Sequence, residues 1–160
     1  MATEQDLKKA YKLFDEYNDK YFEGKLPKYE IEFNGRFSRY TADIDYKNKV
    51  IRLSSQHLTE FGWTSVSKYL KHEMIHAEMH RLGMKPKRPH ATRFFKEWAE
   101  KLDTHVFYPD SEKIGYKYIY ECPKCKKEVK RRIRGTWSCR RCGGNKYNAK
   151  YKLKIKRYLE

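Results

Sequence analysis

The sequence predicts an α+β fold in two parts: helices packed on a small, mainly antiparallel sheet, then a short all-β module. Three observations predict it. Apolar residues recur at helical spacing in three separate stretches, 3–22, 64–82 and 90–102. Two-residue alternation fills the gap between the first and the second. All four cysteines fall within 122–142, where the texture changes to short strands and turns.

The first helix places Leu7, Ala10, Tyr11, Phe14, Tyr17, Tyr21 and Phe22 on one side, which makes them core candidates. Thr3 is its expected N-cap and Gly24 its stop. "LPKYEIEFNG" follows as a first strand. "YTADIDYKNKVIRLS" reads as a hairpin with runs 40–46 and 49–54, turning near Lys47 and Asn48, although no glycine follows Asn48 to ease the turn. The second helix lines up Val66, Leu70, Met74 and Ala77, with Ile75 and Leu82 as a second apolar flank. That width predicts a mostly buried helix, closed by Gly83. A loop of prolines and cations, "MKPKRP", leads to the third helix and its packing residues Phe94, Phe95, Trp98 and Leu102. "DTHVFYPDSEKIG" reads as a linker with a boundary near residue 112, giving domains 1–111 and 112–160. The final "KYKLKIKRYLE" alternates Tyr151, Leu153 and Ile155 with Lys150, Lys152, Lys154 and Lys156, as a half-buried strand with a lysine face would.

Charge is segregated. Lys and Arg number 37 against 21 Asp and Glu, a net +16. Residues 111–160 hold 17 of those cations and four Glu, so +13 of the excess lies in the last third. Such a surface attracts a polyanion, nucleic acid first and an acidic membrane second. A solvated lysine-rich face is the plain alternative. No apolar run reaches 18 residues, which excludes a membrane-spanning helix. The opening "MATEQDLKKAYKLF" has no apolar core of a signal peptide, so a cytoplasmic (nucleoid-associated) or nuclear protein is expected.

"HEMIH", residues 72–76, is an HExxH motif inside the second predicted helix. Ligands four residues apart lie about 6 Å along the axis and about 40° around it, so His72 and His76 can reach one ion. Zinc suits imidazole and acidifies its bound water, and Glu73 beside it can take the proton as general base. A third ligand is required. His80 completes a regular series with His72 and His76, but it sits about 12 Å up the axis from His72. Ligand nitrogens on one zinc lie about 3.4 Å apart. His80 is therefore a bystander. The metzincin pattern HExxHxxGxxH fails, because Met79 and Leu82 stand where it needs Gly and His. A thermolysin-like site would use a glutamate of the next helix, Glu97 or Glu100. His90, which follows a turn segment and opens that helix, is the other candidate. His57 and His105 read as ordinary surface or loop histidines.

From Tyr17 to Leu102 the chain resembles the SprT-like family, which includes the Spartan proteases. The resemblance lies in "YNDKYFEGKLP", a strand and hairpin, "HEMIHAEMHRLG", and a histidine ahead of a Phe-containing helix, in the family's order. It implies that His90, in "HATRF", is the third zinc ligand, with Ala91 in place of the family's usual glycine. It implies a zincin-like metalloprotease domain and, as substrates, proteins bound or crosslinked to DNA, hence a role in repair of DNA–protein crosslinks.

"CPKC" (122–125) and "CRRC" (139–142) are 13 residues apart, the spacing of a closed four-cysteine zinc ribbon built on Cys122, Cys125, Cys139 and Cys142. A module this small has too little core to fold without the metal. Two zinc ions per chain are thus expected, one catalytic and one structural. DNA contacts are expected from Lys130, Arg131, Arg132, Arg134, Arg140, Arg141, Lys152, Lys154 and Lys156 on phosphates, and from Trp137 on a base. Trp137 could instead pack on the ribbon core, and the lysine face could simply protect an edge strand. The composite expectation is a monomeric, DNA-associated zinc metalloendopeptidase with no membrane partner. The rival is a nucleic-acid-binding ribbon protein whose HExxH domain is a scaffold.

Overall fold

The computed structural model describes residues 1–37, 40–109 and 115–159. The chain divides into two compact units, Met1–Ile114 and Gly115–Glu160. The boundary expected at 111/112 lies outside the described residues.

Helix α1, Glu4–Phe22, starts on a reciprocal capping box: Thr3 Oγ1 accepts from the Asp6 N–H at 3.1 Å, and Asp6 Oδ2 accepts from the Thr3 N–H at 2.8 Å. It ends where Glu23 and Gly24 both turn left-handed (φ 55° and 69°). Ala10, Phe14 and Phe22 are buried, while Tyr11, Tyr17 and Tyr21 are only half-buried. The tyrosines sit at the rim because their hydroxyls need partners. Tyr11 Oη, for one, accepts from the Ile31 N–H at 3.0 Å and ties α1 to the sheet.

Strands β1 (Glu30–Asn34), β2 (Ala42–Asp45) and β3 (Val50–Ser54) form a sheet in the order β1-β3-β2. The expected hairpin is present, with Ala42 opposite Leu53 and Ile44 opposite Ile51. Lys49 itself takes the left-handed turn conformation (φ 53°), and Asp45 accepts from the Asn48 backbone, which supplies the turn that glycine would otherwise make. β1 pairs with β3 in parallel, so the sheet is mixed: β1 enters beside β3, and β2 occupies the far edge.

Helix α2, Ser55–Arg81, is capped by Ser54 and broken at Gly62 (φ 71°, ψ −174°), a conformation that only glycine adopts without strain. The predicted 64–82 helix is its second limb. Val66, Leu70, Met74, Ile75 and Ala77 are buried in the cluster that also holds Ile31, Ile51 and Leu53 of the sheet. Leu82 is exposed and does not extend that flank, because α2 ends at Arg81 and Gly83 (φ 72°) turns the chain away. A 3-10 turn, Pro89–Ala91, precedes helix α3, Arg93–Lys101, which Thr92 caps. Phe95, Ala99 and Leu102 complete the core, and Trp98 stacks on Phe22 (4.6 Å, 5°).

The second unit has a three-stranded antiparallel sheet, β5-β4-β6, of β4 (Tyr118–Glu121), β5 (Glu128–Arg131) and β6 (Lys154–Tyr158). A short helix, α4 (Arg140–Gly143), contains Cys142 and has Cys139 as its N-cap. The final strand begins later than its alternation suggests: Ala149–Tyr151 is a 3-10 turn, and β6 starts at Lys154. No helix among the described residues is long and apolar enough to cross a membrane.

Candidate metal centres

Helix α2 carries His72 and His76 one turn apart, with their Nε2 atoms 3.3 Å from each other. The Pro89–Ala91 turn delivers His90, whose Nε2 lies 3.1 Å from that of His72 and 2.9 Å from that of His76. Three ligand atoms converging this closely match the edges of a zinc tetrahedron, about 3.4 Å. Ala91 causes no difficulty in place of the glycine that the resemblance leads one to expect, because it is not among the positive-φ residues.

Burial favours the neutral histidines, the form that a metal would need. Burial pushes His76 down to about 3 and His72 to about 4, and lowers His90 as well. His72 Nδ1 donates to the His105 carbonyl at 2.7 Å. A carbonyl can only accept, so the proton sits on Nδ1 and the Nε2 lone pair faces the other two rings. Phe95 lies 4.8 Å from each of the three imidazoles and forms an apolar floor beneath them.

Glu73, on the same turn, is 3% exposed. Tyr108 Oη donates to its Oε1 at 2.9 Å. Burial pushes the Glu73 carboxyl up to about 8, with the Tyr108 bond opposing the shift. The same Glu73 charge, after burial itself, raises the Tyr108 phenol well above its ordinary value. Above these groups opens a cleft of about 420 Å³, bordered by Ala42, Asp43 and Ile44 of β2 on one side and by Val106 and Phe107 on the other.

The alternatives stay outside. Glu97 pairs with Arg93 on the exposed face of α3, and Glu100 is exposed. His80 is exposed and stacks on Tyr46 (4.7 Å, 9°). Two expectations need correction. His57 is fully buried, with Nε2 2.9 Å from Ser65 Oγ, because the chain folds back at Gly62 and carries it inward. His105 is no idle loop residue, since its carbonyl orients His72. Sequence reasoning missed His105 and Tyr108, whose stretch carried no ligand spacing; the aromatic pair Phe107 and Tyr108 in an assumed linker was the one available signal.

In the second unit, Cys122 Sγ is 3.9 Å from Cys142 Sγ, and Cys125 Sγ is 3.7 Å from Cys139 Sγ. A disulfide needs about 2.05 Å, whereas a four-thiolate zinc site at about 2.3 Å per bond has edges near 3.8 Å. The cysteines are free, and all four could hold one ion. Within the cluster the thiols pull apart: burial raises Cys122, but the Cys125 and Lys124 N–H groups and the neighbouring thiols lower it overall, whereas burial and the same thiols raise Cys142, so negative charge gathers first on Cys122.

A model of the SprT-like family matches residues 10–115, which include both halves of the histidine centre. The chain belongs to the SprT-like family. Proteins named SprT-like are similar to it along most of their length. One from Bacillus cereus (strain G9842) is 28% identical over 145 residues, 87% of this chain and 93% of that protein. One from Staphylococcus epidermidis is 28% identical over 130 residues, 78% and 84% of the two chains. One from Lactiplantibacillus plantarum is 28% identical over 118 residues, 69% and 72%.

The cations of this SprT-like chain's second unit are mostly exposed, but they differ in their partners. Lys130, Arg134, Arg140, Arg141, Lys152 and Lys154 are exposed. Lys156 lies between Glu121 and Glu128 at 2.7 Å from each, so its charge is already balanced. Arg132 lies over Tyr116 (4.7 Å). Trp137 is a packing residue: half-buried against the cysteine cluster, it meets Tyr120 edge-on (5.2 Å, 80°), and the Arg131 guanidinium lies over its ring at 5.2 Å. Of the two readings the sequence leaves open for Trp137, base stacking and packing on the ribbon core, these contacts favour packing.

Proposed function

We propose that this SprT-like chain is a zinc-dependent endopeptidase that cuts proteins held on DNA. The observation that carries the reading is the convergence of three Nε2 atoms within 3.3 Å of one another, with the Glu73 carboxyl on the same helical turn beneath an open cleft. His72, His76 and His90 would hold the metal, and three imidazoles suit zinc. Zinc there supplies Lewis acidity, which activates water and polarises a peptide carbonyl. Near the charge of a bound cation the Glu73 carboxyl would favour its ionised form, which would then take the proton of the attacking water and pass it to the departing amine. Among the described residues β2 pairs only with β3, so its other edge is open along the cleft. An extended peptide can pair there through its main chain, which demands little of its side chains.

The exposed cations Lys130, Arg134, Arg140, Arg141, Lys152 and Lys154 supply the attraction to phosphate. Retention on DNA raises the effective concentration of proteins bound to it. The resemblance to the Spartan proteases points to the same substrates. Cys122, Cys125, Cys139 and Cys142 would hold a second, structural zinc.

The test compares wild type with Glu73→Gln on a DNA-binding protein, with and without DNA. Wild type should cleave in the presence of DNA, and the variant should bind zinc and DNA without cleaving. Equal cleavage by both, or none by either across DNA forms, would leave the scaffold reading in its place.

A further inference from the structure

The segment 104–108, "THVFY", looks like linker, yet it touches the histidine centre at three points. The His105 carbonyl takes the Nδ1–H of His72 at 2.7 Å. The Phe107 ring packs edge-on against His90 at 5.6 Å. Tyr108 Oη donates to Glu73 Oε1 at 2.9 Å. The segment is itself anchored. The Thr104 N–H donates to the Ala99 carbonyl at 2.9 Å, and Thr104 Oγ1 donates to the Lys68 carbonyl, one turn before His72.

We propose that 104–108 is a positioning strap for the candidate active site, and that Tyr108 is the residue that aims the Glu73 carboxylate. The proposal rests on the reading of Glu73 as general base. A glutamate turns about three side-chain torsions, so the buried carboxyl needs a fixed partner to hold one orientation. Among the described residues, Tyr108 is the one hydrogen-bond partner of that carboxyl. Tethering Oε1 leaves Oε2 to meet water. The phenol that does the tethering is held in turn. Its ring packs against Tyr69 (4.7 Å, 71°) and His72 (5.1 Å, 40°), and its hydroxyl lies 3.4 Å from the Ala42 carbonyl on β2. Tyr108 thus links the base to a metal-centre histidine and to the strand that borders the cleft. It acts through Glu73, as a positioning residue.

Tyr108→Phe keeps the ring and removes the donor. In the full zinc-loaded chain it should retain both zinc ions, lower kcat by about 10–100-fold, and leave KM within about twofold. A second readout does not depend on activity. Tyr108→Phe and Glu73→Leu, each of which removes one partner of the bond, singly and combined, should shift the melting temperature non-additively by at least about 2 °C, because the two side chains share one bond. Wild-type kcat in Tyr108→Phe overturns the proposal, as does a fall explained by lost zinc or raised KM. Additive melting shifts overturn it too, even if wild type cleaves nothing, an outcome that by itself counts against the protease reading.

Discussion

The Nε2 atoms of His76 and His90 lie 2.9 Å apart although 14 residues separate them in sequence. Two neutral imidazoles gain little from such an approach unless something draws both lone pairs to one point, and His72 makes the same approach to each. His80, one further turn along α2, stacks on Tyr46 instead. Replacing His90 by Ala should therefore weaken zinc binding at this centre by more than the ~10–100-fold typical of an outer partner. His80→Ala should leave two zinc ions per chain. Metal analysis after gel filtration separates them, and zinc lost from His80→Ala would overturn the ligand set.

Glu73 makes stability depend on pH when the histidine centre is stripped of metal. Its carboxyl is raised from 4.5 to about 8, so the folded state favours the protonated form. The stabilisation is fully present below about pH 4.5 and is lost as pH rises through about 8. Glu73→Gln keeps an acceptor for Tyr108 and removes the titration. At pH 8 the variant should be more stable than wild type by at least ~1 kcal/mol, with the gap closing toward pH 4.5. His72 and His76 act in the opposite sense. Lowered from 6.5 to about 4 and about 3, they stabilise the fold above pH 6.5 and cease to do so as pH falls through those values. Melting curves across pH after mild chelation measure both, and a gap independent of pH would refute the Glu73 assignment.

The ribbon should depend on its metal and on one close approach. Cys139→Ser leaves three thiolates around a site whose sulfurs sit 3.7–3.9 Å apart in pairs, so it should lose one zinc and unfold the second unit. Gly135 is the close approach. A Cβ there would meet Trp137 Cη2 at 2.6 Å and Cζ2 at 2.8 Å, and the Gly135 N–H donates to Tyr120 Oη at 3.2 Å. Gly135→Ala should displace the indole at a cost of ~1–3 kcal/mol. A red shift in the difference between variant and wild-type emission, in which Trp63 and Trp98 are common to both, reports the displacement, and an unchanged spectrum argues against the packing.

Much of the site was legible because its chemistry is local. HExxH on an apolar-flanked helix brings two histidines and a glutamate to one point by helix rise alone, and paired CxxC knuckles bring four thiols together. The third ligand was not determined by spacing, since Glu97, Glu100 and His90 all lie within reach on paper. The Pro89–Ala91 turn decides among them in space. Other features were hidden for different reasons. The His105 contact uses a backbone carbonyl, which has no sequence signature. Tyr108 reaches Glu73 across 35 residues. The parallel pairing of β1 with β3 follows from where the chain crosses, which alternation does not encode. His57 looked like a surface histidine because it precedes the predicted 64–82 helix, whereas α2 reaches back to Ser55 across the break at Gly62 and His57 is buried there.

Lys156 and Arg140 offer a test of which charges meet phosphate. Both lie in the basic unit, and composition alone treats them alike. Lys156 sits 2.7 Å from both Glu121 and Glu128, and those two hydrogen bonds hold its ammonium above its ordinary value. A cation already compensated by two carboxylates displaces few counterions from DNA. Arg140 is exposed at the start of α4, and no acidic partner for it is present among the described residues. Arg140→Ala should lower the slope of log affinity against log salt by about one. Lys156→Ala should leave the slope near its wild-type value, and by freeing two carboxylates it should slightly weaken DNA binding at low salt. Titration of a labelled oligonucleotide at several salt concentrations distinguishes the two. If Lys156→Ala reduces the slope as much as Arg140→Ala does, charge count rather than local pairing governs the surface, and the assignment of individual contacts fails.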